Sequence, residues 1–310
     1  MKQQIKNELM YLLYSKIYII LLLLLCGIFF AILFMNYNSV FDSYDSYVRT
    51  KQYYQENNLD IEEDLSGTYT YEKVGDTVNV SNPILYYKEC VGRFLYAASP
   101  EYTTSQMLES SILFFPLLFG ILGLVVSNND YKYKTIKLKS VMVSKRDFGI
   151  FKQLSIIISS FSILAAALLI AKIAGYLEYS IVCTKLPVSD FYLGGMLPRS
   201  TVFTKVMFGY GIALLYAEIG YTLGIVFKNT LVGAAAIAAY TLAVPNLGKF
   251  DLKNSLYYFA HNVFDFYGVI SLEASKETSL FAAISVVVIL FILFITVNMA
   301  VITRRSSYDC

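Results

Sequence analysis

Ile17-Tyr-Ile-Ile-Leu-Leu-Leu-Leu-Leu-Cys-Gly-Ile-Phe-Phe-Ala-Ile-Leu-Phe-Met35 passes 19 residues without a charge. About 20 apolar residues, at ~1.5 Å per helical residue, cross the ~30 Å hydrocarbon layer of a bilayer. The run is longer than the apolar stretch of a secretory signal. The next residues, Asn36-Tyr-Asn-Ser39, offer no small-residue cleavage site, so the reading is an uncleaved anchor. Five more stretches repeat the pattern. They are 110–126 (with Pro116 inside), 154–175, 206–227, 231–247 and 280–302. The fourth and fifth spans are parted only by Lys228, Asn229 and Thr230. The fold class read from this pattern is an all-α polytopic membrane protein with six spans.

Composition agrees. Of 310 residues, 56% are hydrophobic and 15% charged, and mean hydropathy is +0.54. Soluble domains carry about 25% charged residues. So apolar a chain is not disordered, and a net charge of +2 argues against a nucleic-acid binder. Four cysteines do not make a disulfide scaffold. With no Trp, any interfacial aromatic belt falls to the 27 Tyr and some of the Phe.

Lys and Arg in short loops set orientation. With the N-terminus in the cytoplasm, segments 1–16, 127–153, 228–230 and 303–310 lie inside and hold 13 basic and 4 acidic residues. The strongest marker is 127–153, with seven basic residues (Lys132, Lys134, Lys137, Lys139, Lys145, Arg146, Lys152) against Asp130 and Asp147. Both termini are therefore expected in the cytoplasm.

The segments between spans are also patterned. Residues 1–16 place Ile5, Leu9 and Leu12/Leu13 on one face, with Lys2, Lys6 and Glu8 elsewhere. This suits an interfacial amphipathic helix, or equally the leading turn of the first span. Residues 36–107 are polar and Tyr-rich, with 11 acids and 5 bases. There Phe41–Asn57 reads as helix. Thr68–Val74, Gly75-Asp76 and Thr77–Val80 read as a hairpin, so a small ordered extracellular subdomain is expected. Ser144 and Asp147 have capping-box spacing, which predicts a helix starting near Lys145, with another over about 131–142 before it. In 248–278 the period of Leu252, Leu256, Phe259 and Val263 predicts re-entrant outer helices, tolerated at membrane depth only where protein or water covers the backbone.

Little in the chain points to catalysis. There is no G-x-x-x-x-G-K-[ST], H-E-x-x-H, C-x-x-C or G-x-S-x-G. His261, the single histidine, cannot build a metal site with scattered cysteines. Cys90 and Cys183 share the outer side, and their pairing is open. Enzymatic chemistry, a metal and a cofactor are not expected in this chain. Glu218 is the one ionisable residue near the middle of a span, which makes it a candidate for a translocation path or for interhelical bonding. Lys172 sits about 13 Å higher along the normal and cannot pair with it directly, so it is read as snorkelling outward. Ala213, Ala217, Gly220 and Gly224, and the small residues of 233–239, predict close helix contacts.

The most specific stretch reads Ile112-Leu-Phe-Phe-Pro-Leu-Leu-Phe-Gly-Ile-Leu-Gly-Leu-Val-Val126, then Asn129-Asp-Tyr-Lys-Tyr-Lys-Thr-Ile-Lys137, then Ser144-Lys-Arg-Asp-Phe-Gly-Ile-Phe-Lys152. It resembles the permease subunits of type-2 ABC exporters, bacterial membrane proteins in which an acidic residue and a Gly-Thr-hydrophobic-basic stretch come after the second span. Here Asp130 takes the acidic place, Thr135 and Ile136 fit, and Lys134 stands where Gly is usual. The resemblance implies that 128–152 is the loop that couples to a separate ATPase, with Asp130, Lys132, Lys134, Thr135, Lys137, Ser144, Arg146 and Asp147 as its site residues. It further implies two permease and two ATPase subunits, the permease pair identical or mixed, with ATP and Mg held by the ATPase partner. The cargo expected is hydrophobic or amphipathic, an antimicrobial or secreted peptide in first place. A second reading is a non-transporting receptor or immunity protein that binds a peptide through 36–107. A third, weaker one is an ion-coupled carrier using Glu218.

Overall fold

The computed structural model describes residues 2–74, 77–132, 144–191 and 198–304. These residues form α1 (Lys2–Tyr14), α2 (Ile17–Glu56), α3 (Ile61–Ser66), β1 (Tyr71–Val74), β2 (Thr77–Val80), α4 (Pro83–Ala98), α5 (Thr103–Glu109), α6 (Ser111–Lys132), α7 (Lys145–Lys185), α8 (Val202–Phe227), α9 (Thr230–Ala238), α10 (Leu252–Val263) and α11 (Leu280–Arg304). A 3-10 turn covers Val188–Phe191.

The chain is a helical, multi-pass membrane protein. Among the described residues five helices are long and apolar enough to cross a bilayer: α2, α6, α7, α8 and α11. The apolar run at 231–247 gives a shorter element. The α9 helix passes into a π turn over Ala239–Ala243 and leaves helical geometry at Val244. Pro245 supplies no N–H and disfavours helical geometry in the residue before it. Fourteen residues reach only ~21 Å.

The carbonyls freed at that break are met by α10. The Lys253 ammonium donates to the carbonyl oxygens of Thr241 and Val244. Asp251 accepts from the Leu247 N–H at 2.8 Å and the Tyr240 hydroxyl at 2.6 Å. Asn254 Oδ1 accepts from the Lys276 N–H at 2.7 Å. Irregular backbone among apolar helices needs such partners. Two re-entrant helices are expected over 248–278. The structure forms one, α10, and leaves 264–279 irregular, covered over 264–270 and mostly exposed beyond.

Two helices overrun their apolar stretches. Both α2, with 40 residues, and α7, with 41, extend to ~60 Å. The Phe41–Asn57 helix is thus the continuation of the first span. Around these projecting ends α4 packs, and Val40, Val91, Leu95, Val182 and Phe191 form a second apolar core distinct from that of the bundle. Buried Asp64 accepts from the Ile84 and Leu85 N–H groups at the start of α4, where helix-terminal donors favour a carboxylate. The hairpin forms in the expected register, Val74 opposite Thr77. Cys90 and Cys183 are free thiols.

At the opposite end, α1 is separated from α2 by a turn in which Lys16 adopts a left-handed φ of 61°. The expected apolar face of α1 is corrected at two places. Leu13 is exposed, and Glu8, placed off that face by the sequence, is buried with Leu12. An ion pair with Lys152 makes that burial tolerable.

The α6–α8 contact is the tightest in the bundle, and the two helices run parallel. A Cβ on Gly220 would stand 2.0 Å from the Gly120 carbonyl oxygen, and one on Gly123 1.9 Å from the Ala217 carbonyl oxygen. Small residues let backbones approach in this way, as the 213–224 spacing predicts. On α9, Gly233 and Ile237 pack inward, whereas Ala235 and Ala239 stay exposed. Gly220→Ala should therefore destabilise the protein by about 1–3 kcal/mol or more, because backbone cannot yield to the new methyl. Gly211→Ala, on the same helix but with open space around it, should be neutral or gain up to ~1 kcal/mol. Thermal unfolding of the two variants in detergent tests the seam, and equal midpoints would refute it.

Candidate functional site

Three polar centres interrupt the apolar bundle. The first stands at the base of α7. Ser144 caps that helix: its Oγ accepts from the Asp147 N–H at 3.1 Å and donates to Asp147 Oδ2 at 2.7 Å. Arg146 is exposed beside them. One turn further, the Lys152 ammonium lies 2.6 Å from Glu8 Oε2, donates to the Val126 carbonyl oxygen at 3.1 Å and faces the Phe148 ring at 5.5 Å. One side chain thus ties α1, the last turns of α6 and the first turns of α7. Of the residues expected to couple to an ATPase, Asp130 and Lys132 fall in the final turn of α6. Lys134, Thr135 and Lys137, like most of the helix expected over 131–142, lie outside the described residues.

The second centre is Glu218, which is buried on α8 and accepts from Asn298 Nδ2 of α11 at 3.1 Å. Its partner is an amide across the bundle. Lys172 is exposed, as the depth argument requires.

The third centre is not singled out by the sequence, and it is the most polar. It sits where α5, the start of α8 and the irregular 264–269 segment meet α2, at the α4 end of the bundle. The Lys205 ammonium is paired with the Asp265 carboxylate, and both side chains are buried. Lys205 also donates to Ser105 Oγ at 2.9 Å and lies 5.4 Å from the Tyr102 ring centre. Asp265 accepts in addition from the Arg199 N–H at 2.7 Å. The Arg199 guanidinium points away, to the His261 carbonyl oxygen at 2.6 Å.

Beside this pair, Glu109 Oε1 accepts from the Tyr102 hydroxyl and from the Phe266 N–H, the latter at 3.0 Å. The Val269 N–H donates to Asn36 Oδ1 at 3.0 Å, and the Tyr267 N–H reaches the Tyr102 oxygen at 3.3 Å. A Cβ on Gly268 would stand 2.6 Å from Gln106 Nε2 and 3.1 Å from Asn36 Oδ1, so this turn of chain lies directly on those amides. Several buried atoms in the cluster have no partner: Asn36 Nδ2, both amide atoms of Gln106 and Glu109 Oε2. Burial pushes the Glu109 carboxyl up to about 7, against the pull of Tyr102, the Phe266 N–H and Lys205.

Glu109 and Lys205 stand at the ends of apolar runs, where an ion reads as an ordinary interfacial residue. Nothing in the residues around them marks either one as more. Among the described residues no cluster of His, Cys, Asp or Glu could hold a metal ion. A cleft of about 650 Å³, in the range of ~300–1,000 Å³ usual for small-molecule sites, opens between α8, α9 and α11, with Tyr216, Ile237, Tyr240, Phe250 and Phe294 among its walls.

Comparison with known proteins adds no relative: no family model, curated protein or solved structure matches the chain.

The Lys205–Asp265 pair yields a direct test. Lys205→Met leaves the Asp265 carboxylate buried without its counter-ion and should cost about 3–5 kcal/mol. Adding Asp265→Asn should recover most of that loss, since coupled residues are non-additive. Unfolding midpoints of the two singles and the double supply the cycle, and a strictly additive double would disprove the coupling.

Proposed function

We propose that the chain is the membrane subunit of an ATP-driven exporter of the type-2 ABC class. Two such subunits work with a pair of separate ATPases that hold ATP and Mg. It sits in a bacterial plasma membrane, with both termini in the cytoplasm and six crossings. The fifth crossing is made by α9 together with the chain after it. The observation that carries this reading is the Lys152 joint. The basic 128–152 segment hangs between the end of α6 and the start of α7, and Lys152 binds both to α1. A load applied to that segment by a partner enters three helices together. The chain has no phosphate-binding loop of its own, so on this reading ATP is held by a second protein.

The cargo favoured is an amphipathic peptide. Its support is the aromatic-walled cleft between α8, α9 and α11. Exposed Leu247 and Phe250 are among its walls. Glu218, buried and bonded across the bundle by Asn298, fits interhelical support better than a place on an open path.

A second reading, a peptide receptor or immunity protein, draws on the head at the α4 end, which has its own apolar core on the ends of α2 and α7. One experiment separates the two. The tagged protein is isolated from native membranes in mild detergent, as wild type and as a Lys132/Lys134/Lys137→Glu variant. The exporter reading requires a stoichiometric ATPase with the wild type, lost in the variant. No ATPase in either sample would overturn it and move attention to peptide binding by residues 36–107.

A further inference from the structure

We infer that Glu109 is a proton-binding site, and that its bound proton holds the 264–269 segment docked on the bundle. The inference stands apart from the exporter reading.

The geometry of the carboxyl carries it. Both donors that reach Glu109, the Tyr102 hydroxyl and the Phe266 N–H, converge on Oε1. Oε2 is buried and has none. An ionised carboxylate spreads its charge over two equivalent oxygens and calls for donors at both, whereas a protonated one has an accepting oxygen and a donating hydroxyl. Two donors on one oxygen leave the second oxygen of an ionised carboxylate bare; the hydroxyl of the neutral acid also finds no acceptor there, but an unmet neutral group costs less than an unmet charge.

The charge balance points the same way. Among the described residues, the titratable or charged groups facing Glu109 come from four elements. Tyr102 precedes α5, Lys205 comes from α8, and Asp265 and Tyr267 come from the irregular segment. From α4, Tyr96 packs its ring on Tyr102 and Tyr267, and α2 contributes only the Asn36 amide. The ammonium of this cluster, Lys205, is already paired with Asp265. An ionised Glu109 would be a second carboxylate in a buried site with one cation, and such groups take up a proton instead.

The segment that would respond is 264–269. It belongs to no helix, and three of its backbone N–H groups end on Glu109, Tyr102 and Asn36. Ionisation demands donors at Oε2, which water can supply only if the cover yields.

The difference in proton affinity fixes the sign of the pH effect. The docked form binds the proton more tightly than the open form, in which the carboxyl has its ordinary value. Docking is complete at low pH. It weakens as pH rises from the ordinary value of 4.5 to about 7 and then levels off. The limit for one proton is roughly tenfold per pH unit.

Two measurements on the full-length protein test this. Infrared spectra with glutamate-specific carbon-13 labelling should show a protonated carboxyl band at about pH 6, below the ~7 assigned to Glu109. One component of the band should be lost in Glu109→Gln and remain in both Glu178→Gln and Glu218→Gln. Hydrogen exchange of the peptide covering 264–269 should quicken with pH in wild type relative to Glu109→Gln at the same pH, where intrinsic rates cancel. If Glu109→Gln does not fold, the test falls to wild type and Glu218→Gln: a labelled band whose titration midpoint matches that of the exchange change. Absence of a band assignable to Glu109, or an exchange ratio flat with pH, would overturn the proposal.

Discussion

Helices α6 and α8 lie backbone against backbone, and most of the molecule is arranged around that contact. Gly120 and Gly123 on one helix, and Ala217, Gly220 and Gly224 on the other, leave no room for side chains between the axes. The two helices are parallel, so the seam fixes their relative height as well as their separation. At one end it brings Lys205 of α8 level with Ser105 and Tyr102, just before α6 begins. At the other it sets Gly224 against Ser127 and Asn128, and Asn128 in turn reaches Thr230 at the start of α9, at 3.4 Å. Apolar contact alone would not specify height between helices in lipid, where side chains meet an equally apolar solvent. Interlocked backbones do.

Held at that height, the ends of the bundle can hold charges that would otherwise be expelled. Lys205 and Asp265 come from elements 60 residues apart in the chain. Their burial is tolerable only as a pair with further donors and acceptors in place. Lys152 and Glu8 solve the same problem at the opposite end, with the Val126 carbonyl as a third partner. The break after α9 is a third case, in which Lys253 and Asp251 satisfy backbone groups instead of side chains. In all three, charged side chains supply polar bonds near helix ends among apolar neighbours, from far along the chain in the first two and from the next helix in the third.

These features differ in how far sequence reveals them. The first, third and sixth apolar runs are legible because lipid demands an unbroken stretch, and the stretch is local. The Ser144 cap and the hairpin at Gly75-Asp76 are legible for the same reason, since spacing within a few residues defines them. The length of α2 and α7 is less so: Phe41–Asn57 reads as helix, but nothing in its composition shows that it continues the first span, and the part of α7 past 175 carries no such mark. The early end of α9 is foreshadowed only by Pro245. Periodicity misplaces Glu8 because it sorts residues by polarity and cannot see Lys152, buried on a helix far along the chain. Glu109, Lys205 and Asp265 each look interfacial alone, and their meaning lies in a juxtaposition that only the α6–α8 seam creates.

That juxtaposition also limits how the two ends can move. From Lys152 to Lys185 α7 is one continuous helix, ~50 Å long at its ordinary rise. At Gly175 it presses on Thr103, where a Cβ would meet the Thr103 side-chain oxygen at 2.7 Å. Thr103 opens α5, the short helix that carries Ser105, Gln106 and Glu109. A rotation of α7 at its Lys152 base therefore bears on α5 through Thr103, and α5 holds the cover segment through Glu109. Because α8 is locked to α6, the yielding part of the α4 end is the irregular 264–269 chain. Its front half is anchored by buried Phe264 and the Lys205–Asp265 pair, and 266–269 is held by three backbone N–H groups. The protonation of Glu109 acts where these contacts meet, on the part of the α4 end that belongs to no helix.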